Sequence, residues 1–380
     1  MKRHAAVITG VIVCAVLGSA LPANASTAWR AQTVPKPPNS IVRLLGVACP
    51  VRGDCTAVGS FVDKATGAEH TLAEQWNGSG WVIQATPTLT GQGGLAGVSC
   101  LSAADCTAFG TQTGQQAGHR PLIEHWDGTS WAIQPSPSPV GSPEADLVGG
   151  ACTSPASCTA VGVYDLSGVR GERPLAEHWD GTSWTVQHVP LPAGAWAADL
   201  DGGVSCATTT LCTAVGAYGP KSQPGALPFV ARWNGTGWTA HTAPLPAGAT
   251  GGFLNSVSCT SPSHCTAIGG YDNAAGTALP PFAIRWNGTT WTIQALNAPD
   301  EGSLAAVSCP SATSCTAVGG LSNNGLAEHW DGINWAVQPT PVPMHGTATF
   351  ATLLGVSCLS ATYCTAAGYY NRAQPLADHQ

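Results

Sequence analysis

Glu74, Glu124, Glu177, Glu328 and Asp378 recur at a single position of a repeated text. Paired carboxylates are what cleavage of a glycosidic bond requires, one as acid and one as base or nucleophile on opposite sides of the bond. These five are spread over five of the seven repeats. Ala231 and Ile284 take the same position twice, and the next position varies through Gln75, His125, His178, Arg232, Arg285, His329 and His379. A periodic ring of this kind points to hydrogen bonds or ion pairs between neighbouring repeats rather than to one catalytic constellation.

A second group breaks the periodicity. Trp196 has no counterpart in the other repeats, and Asp199 and Asp201 follow it in the link between the third and fourth repeats. Phe61, Tyr164, Tyr218, Tyr271 and Tyr370 stand at equivalent places at the ends of second strands. An aromatic rim beside two carboxylates can stack on sugar rings or hold a peptide. The same aromatics can equally cap their own repeats. No phosphate-binding loop, metal-ligand cluster or nucleophile elbow is present, so no cofactor and no metal are expected, and no catalytic residue is identified.

The elements that position these residues follow from the cysteines. Apart from Cys14, fourteen cysteines fall into seven C-x5-C pairs: Cys49/Cys55, Cys100/Cys106, Cys152/Cys158, Cys206/Cys212, Cys259/Cys265, Cys309/Cys315 and Cys358/Cys364. Opposed residues of an antiparallel hairpin are close enough for a disulfide, so each pair is expected to staple one hairpin. Zinc is the alternative, but this spacing is wider than structural zinc sites favour.

Each repeat runs L-x-x-V-S-C, C-T-A-V-G-x-Y, L-A-E-H-W and T-x-W-x-x-Q, four short strands A to D joined by Gly, Pro and Asn. Asn77-Gly78, Asp127-Gly128, Asp180-Gly181, Asn234-Gly235, Asn287-Gly288 and Asp331-Gly332 mark a two-residue turn between C and D. The same turns explain the sequons at Asn77, Asn234 and Asn287. Tryptophans flank every such turn and are expected to fill the wedges between blades. The last repeat ends at its C strand, Leu376-Ala377-Asp378-His379-Gln380, while Thr27-Ala28-Trp29-Arg30-Ala31-Gln32 near the start reads as a D strand. The expectation is an all-β, seven-bladed propeller of four-stranded antiparallel blades, one disulfide each, with residues 26–35 supplying the outer strand of the last blade.

Residues 1–25 read as a secretory signal: Lys2, Arg3 and His4, an apolar run from Ala5 to Leu21, then Ala23-Asn24-Ala25. An uncleaved anchor is the alternative. Cys14 lies inside the run and is lost with it. Without Lys2 and Arg3, 12 basic residues of 14 remain against 21 acidic ones, a formal charge of −9. That sign excludes a backbone-neutralising nucleic-acid binder. No other stretch is apolar enough to insert in a membrane, and the mature domain, 26–380, is expected to be secreted and monomeric.

With Ile268-Gly269-Gly270, Val318-Gly319-Gly320 and the later Trp of each unit, the repeat resembles kelch-type and galactose-oxidase-like propellers, and more closely the secreted Cys-paired repeat proteins of high-GC Gram-positive bacteria. The resemblance spans the mature chain and implies fold, not activity. The C/D turn is similar to the sialidase Asp-box, but Asp127-Gly128-Thr129-Ser130-Trp131 has shorter spacing, and no arginine triad accompanies it. The functional expectation is a non-catalytic binding or scaffold protein engaging a glycan, a cell-wall polymer or a protein through its loop face. The alternative is a glycoside hydrolase or lyase using Asp199 and Asp201.

Overall fold

The computed structural model describes residues 29–113, 118–221, 225–273, 279–321, 324–340, 351–371 and 374–379, the last stretch by backbone alone. The proposed leader at 1–25 and the side chains of Asp378 and His379 lie outside the described residues. The first repeat shows the pattern: strand A is Ser40–Val51, B Asp54–Asp63, C Glu69–Trp76 and D Trp81–Gln84, all antiparallel.

Each C-x5-C pair forms a disulfide across its A/B hairpin, with Cα atoms 4.0–4.1 Å apart: Cys49–Cys55, Cys100–Cys106, Cys152–Cys158, Cys206–Cys212, Cys259–Cys265, Cys309–Cys315 and Cys358–Cys364. The staples stand where the spacing places them, and their role goes beyond closing a hairpin. The second cysteine of every pair is buried in the core and belongs to a junction cluster: Cys55, Cys106, Cys158, Cys212, Cys265, Cys315 and Cys364. The reason is its position on strand B, an inner strand of each sheet, where it pairs directly with the C-strand Trp, as Cys55 does with Trp76 and Cys158 with Trp179. A disulfide sulfur is a small apolar group and is buried there at no polar cost. These residues therefore form part of the packing and present no exposed site.

The expected count of seven blades is corrected to six. Hydrogen bonding groups the described strands into six sheets. Five sheets hold one repeat each, and the sixth and seventh repeats share an eight-stranded sheet, joined through Gly320↔Thr352 and Leu321↔Ala351. The physical reason lies at Gly320, where an added Cβ would stand 3.1 Å from Thr352 Oγ1. Without a side chain there, the B strand of repeat six approaches the A strand of repeat seven closely enough to continue the ladder. Counting sequence repeats counts disulfide-bearing units; it does not reveal where two of them fuse.

The C/D turn is corrected as well. Trp76 pairs directly with Trp81, so the loop holds four residues, not two, and strand D starts at the tryptophan. The glycine takes positive φ as expected, 86° at Gly78 and 92° at Gly128. Asn77 instead accepts hydrogen bonds at Oδ1 from the backbone N–H groups of Ser79 and Gly80, both 3.0 Å. Asp127, Asp180, Asn234, Asn287 and Asp331 act alike, which is why Asp and Asn interchange at this slot.

The core is a ring rather than a centre. Among the described residues there are seven apolar clusters, each at a junction between successive repeats: Val58 and Ala73 of the first pack on Leu95 and Leu122 of the second, and Ala367 of the last packs on Leu44 of the first. Side-chain hydrogen bonds repeat across the same junctions. The D-strand Trp donates Nε1–H to the Gln Oε1 of the preceding repeat, at Trp131–Gln84 (2.8 Å), Trp184–Gln134 (3.0 Å) and Trp238–Gln187 (2.8 Å). The Ser of V-S-C accepts the backbone N–H of the next repeat's first Cys, as at Ser99–Cys152 and Ser205–Cys259.

The N-terminal strand obeys both rules. Arg30–Gln32 pairs with the final C strand, Gln374–His379. Trp29 is buried and donates to Gln338 (3.1 Å), while Trp81 donates to Gln32 (2.8 Å). At the inner end of the same junction Cys49 N–H donates to Ser357 Oγ (3.0 Å). Residues 29–32 thus occupy the D-strand place of repeat seven in geometry and in partners.

Trp29→Ala is expected to cost about 3–5 kcal/mol, as much as the equivalent Trp184→Ala, although Trp29 lies near the start of the chain. Parallel denaturation curves of the two variants check this, and an unchanged midpoint for Trp29→Ala would remove the role given to the closing strand.

Candidate functional site

The ring of carboxylates is structural, but not in the way the sequence implies. Glu74, Glu124, Glu177 and Glu328 are wholly buried at inter-repeat junctions. Only Glu177 gains a hydrogen bond, from Ser136 Oγ at 2.7 Å; both carboxyl oxygens of the other three have no partner. The expected hydrogen bonds and ion pairs are therefore absent at Glu74, Glu124 and Glu328. Burial pushes Glu74 up to about 8 and Glu124, Glu177 and Glu328 up to about 7, because a desolvated carboxyl resists ionisation. Thr71 draws Glu124 back slightly without closing a bond, since its hydroxyl donates to Thr86 (2.9 Å). The backbone N–H groups of Asn297 and Ala298 draw Glu328 back in the same way, from beyond hydrogen-bond geometry. Ala231 and Ile284 fill the same place in apolar fashion.

The neighbouring slot faces the loops. Gln75 bonds to Asp54 (3.2 Å), and Arg232 and Arg285 lie 4.3 and 4.5 Å from the ring centres of Trp286 and Trp330. Each arginine also donates to an A/B-loop carbonyl of the next repeat, Pro262 O and Ala312 O. In repeats two and three the equivalent carbonyl, Ala103 O or Pro155 O, takes the N–H of Trp126 or Trp179 instead. Displaced from that acceptor, Trp286 and Trp330 keep buried Nε1 atoms with no partner.

The irregular link of repeat four builds the site. Its A strand is split into Ala195–Ala198 and Val204–Thr208. Trp196 is 45% exposed, and its ring is seated between Gly171 and Gly219, where an added Cβ would come within 2.3 and 2.7 Å of it. Arg173 fixes the link by donating to the carbonyl oxygens of Glu172 (2.9 Å), Trp196 (3.0 Å) and Gly171 (3.1 Å). Asp199 accepts the N–H of Ala217 (3.0 Å) and of Asp201 (3.3 Å), so its carboxylate shapes the backbone.

Trp196, Asp199, Tyr218 and Glu172 line one depression of about 290 Å³. Asp201 is separated from it and lines the central channel. Desolvation there, then repulsion from Asp199, Glu172 and Asp146, pushes Asp201 up to about 7, even though water reaches it along the channel. Glu172 is raised for similar reasons: desolvation first, then Asp199, Asp165 and Asp146. A third depression of about 400 Å³ adjoins the channel, with Glu69 held by Ser60 Oγ (2.6 Å) and Asp146 by His119 (3.1 Å).

The other rim aromatics turn inward. Tyr164 and Tyr370 pack against junction clusters, Tyr271 meets Phe282 edge-on at 6.1 Å, and Phe61 stacks on His70 at 5.0 Å. Tyr218 lines the depression at Trp196, while also belonging to a junction core. Glu172 and Asn255 are site residues that the sequence reading passed over. Asn255 was legible as a polar departure in Leu254-Asn255-Ser256-Val257, where the other repeats carry Ala, Leu or Val and only repeat four, with Asp201, is also polar.

Neither a protein-family model nor a curated protein matches the chain. Solved structures do. A structure of YCF48 bound to D1 peptide aligns at 12% identity over 92% of this chain and 96% of that one, with a TM-score of 0.56. YCF48 from Cyanidioschyzon merolae aligns at 12% over 93% and 98%, TM-score 0.51. The six-bladed fungal lectin of Aleuria aurantia aligns at 15% over 81% and 100%, TM-score 0.46. At such identities the likeness is one of propeller fold, and the narrower kelch resemblance gains nothing from it.

The buried glutamic acids have a measurable consequence. Their folded values stand above the ordinary 4.5, so their full contribution to stability is present below pH 4.5 and is lost as pH rises through about 7 to 8. Glu74→Ile, which copies repeat five, is expected to raise stability at pH 8 by on the order of 4 kcal/mol and to change it little at pH 4. Thermal unfolding across that range tests this; an equal effect at both ends would show that folding does not raise the Glu74 value.

Proposed function

We propose that this chain is an exported, non-catalytic binding propeller that takes a basic protein segment on the link face around Trp196. The observation that carries the reading is the gathering of Glu172, Asp199, Asp201 and Asp146 into one field beside an exposed Trp ring, where Arg173 is committed to backbone carbonyls and, among the described residues, no ion pair reaches Glu172, Asp199 or Asp201. Like charges held together raise one another's pKa at a cost that a cationic ligand relieves. An exposed indole adds cation–π attraction for Lys or Arg. YCF48, a propeller of similar fold, has been solved bound to a peptide, which makes a peptide-sized occupant reasonable here.

Catalysis by Asp199 and Asp201 is not favoured. Asp199 is committed to backbone N–H groups and Asp201 faces the channel, so the pair does not flank one substrate bond. Export accords with seven disulfides, which persist in oxidising compartments. Among the described residues no helix is long and apolar enough to cross a membrane. Cleavage of the leader after Ala25 is part of this reading, and a mature N-terminus at Ser26 by mass spectrometry of the exported protein is its expected mark.

Titration calorimetry with basic and acidic peptides of equal length, and with neutral oligosaccharides, tests the binding reading. The basic peptide is expected to bind, to weaken as salt is raised, and to lose at least about tenfold in affinity with Trp196→Ala. Salt-independent binding of a neutral oligosaccharide, or no binding of the basic peptide, would overturn it.

A further inference from the structure

The channel wall differs in one repeat. In six of the seven A strands a single residue bulges out after the buried Leu, as the register shifts between Leu44 and Gly46 and between Leu95 and Gly97 show. The bulged residues Leu45, Ala96, Val148, Asn255, Ala305 and Leu354 all line the channel. Repeat four has one residue more: between Leu200 and Val204 stand Asp201, Gly202 and Gly203, with Gly203 at φ 76°. Gly203 N–H bonds to Leu200 O (3.1 Å), closing a tight turn over Asp201. An enlarged bulge re-aims a side chain, and here it sets a carboxylate into a ring of mostly apolar residues.

That carboxylate accepts no hydrogen bond from any described residue and forms no ion pair; the two ion pairs among the described residues are His119–Asp146 and His125–Asp105. Asn255, next around the ring, donates Nδ2–H to Leu304 O (2.8 Å) and keeps its amide oxygen as an acceptor. The space enclosed is about 190 Å³. Asp199, Glu172 and Asp146 lie near enough to repel the Asp201 carboxylate, and through the two neighbouring depressions that they line the negative field extends toward the link face. A mostly apolar ring interrupted on one side by a carboxylate and an amide oxygen matches a short methylene stem carrying a compact ammonium. It matches a planar guanidinium less well, since that group prefers a bidentate acceptor.

We propose that the channel admits a primary aliphatic ammonium, a lysine side chain of the bound partner, with its stem against Leu45, Val148 and Leu354 and its –NH3+ held by Asp201 and Asn255. This rests on the basic-segment reading above, and the two fail differently. The probes are an amide-capped Ala-Ala-Lys-Ala-Ala peptide, its ε-acetylated form, the Arg analogue and n-butylammonium. The lysine peptide is expected to bind more tightly than the other two peptides and to lose about 10- to 100-fold in affinity with Asp201→Asn. Ala96→Leu, which narrows the channel and leaves Asp201 in place, is expected to weaken it too. Binding should release protons at pH 6–7 and tighten toward pH 8, as the ammonium favours ionised Asp201. Equal affinity for n-butylammonium would support the ammonium site and assign it to a free amine. Basic-peptide binding that depends on Trp196 but is indifferent to Asp201→Asn or to acetylation would overturn the channel inference alone. Absence of any basic-peptide binding would overturn both.

Discussion

Everything in this protein depends on the contact between one repeat and the next. A single four-stranded unit has no interior of its own, and its apolar residues are buried only against a neighbour. The clusters at the junctions, the Trp-to-Gln bonds and the Ser-to-Cys bonds are three expressions of that contact, at middle, outer and inner radius. Such a system has no satisfactory end, because a last repeat without a partner exposes an apolar face and an open strand edge. The strand at Arg30–Gln32 answers this by entering the final unit, and Gln32 serves Trp81 just as Gln84 serves Trp131.

The disulfides act at a different level. Each closes a hairpin within its own repeat and ties no two repeats together. They therefore shorten the list of conformations open to the unfolded hairpin without contributing to ring closure directly. Their buried sulfur atoms nevertheless meet a threonine of the preceding repeat: Thr56 lies 3.6 Å from Cys106, Thr159 3.7 Å from Cys212, and Thr213 3.8 Å from Cys265. Thr365 of the last repeat and Cys55 of the first, 3.6 Å apart, continue the series across the seam. The Thr of C-T-A thus belongs to the junction, and two of the Ser contacts are missing only where Ala48 and Ala151 replace the serine.

What could be read in the sequence was what recurs. Cys spacing, Trp pairs and the displaced D strand are periodic signals, and each identifies a contact made seven times or nearly so. Spacing did not tell that Cys55 or Cys364 would be core while Cys100 or Cys358 stays half-buried, because that depends on which strand lies inside the sheet. The fusion of repeats six and seven was not legible, because it depends on how near Gly320 comes to Thr352, a distance with no counterpart in the text. The solitary burial of Glu74 was equally hidden, since a carboxylate that stands beside Gln or His from repeat to repeat reads as hydrogen-bonded or paired until its burial is known. The site showed itself by irregularity. Trp196 and Asp201 stand out because the surrounding pattern is strict, whereas Glu172 and Asp146 sit among ordinary loop residues and join the field only in three dimensions.

The pairing of Arg30 with His379 places the two ends of the folded chain side by side on adjacent strands. In that arrangement the closing strand makes with the final C strand the pairing that the other D strands make within their own units. A circular permutant with the present ends joined and new ones placed in another four-residue C/D turn would retain every junction, so the position of the seam is a property of the gene rather than of the fold.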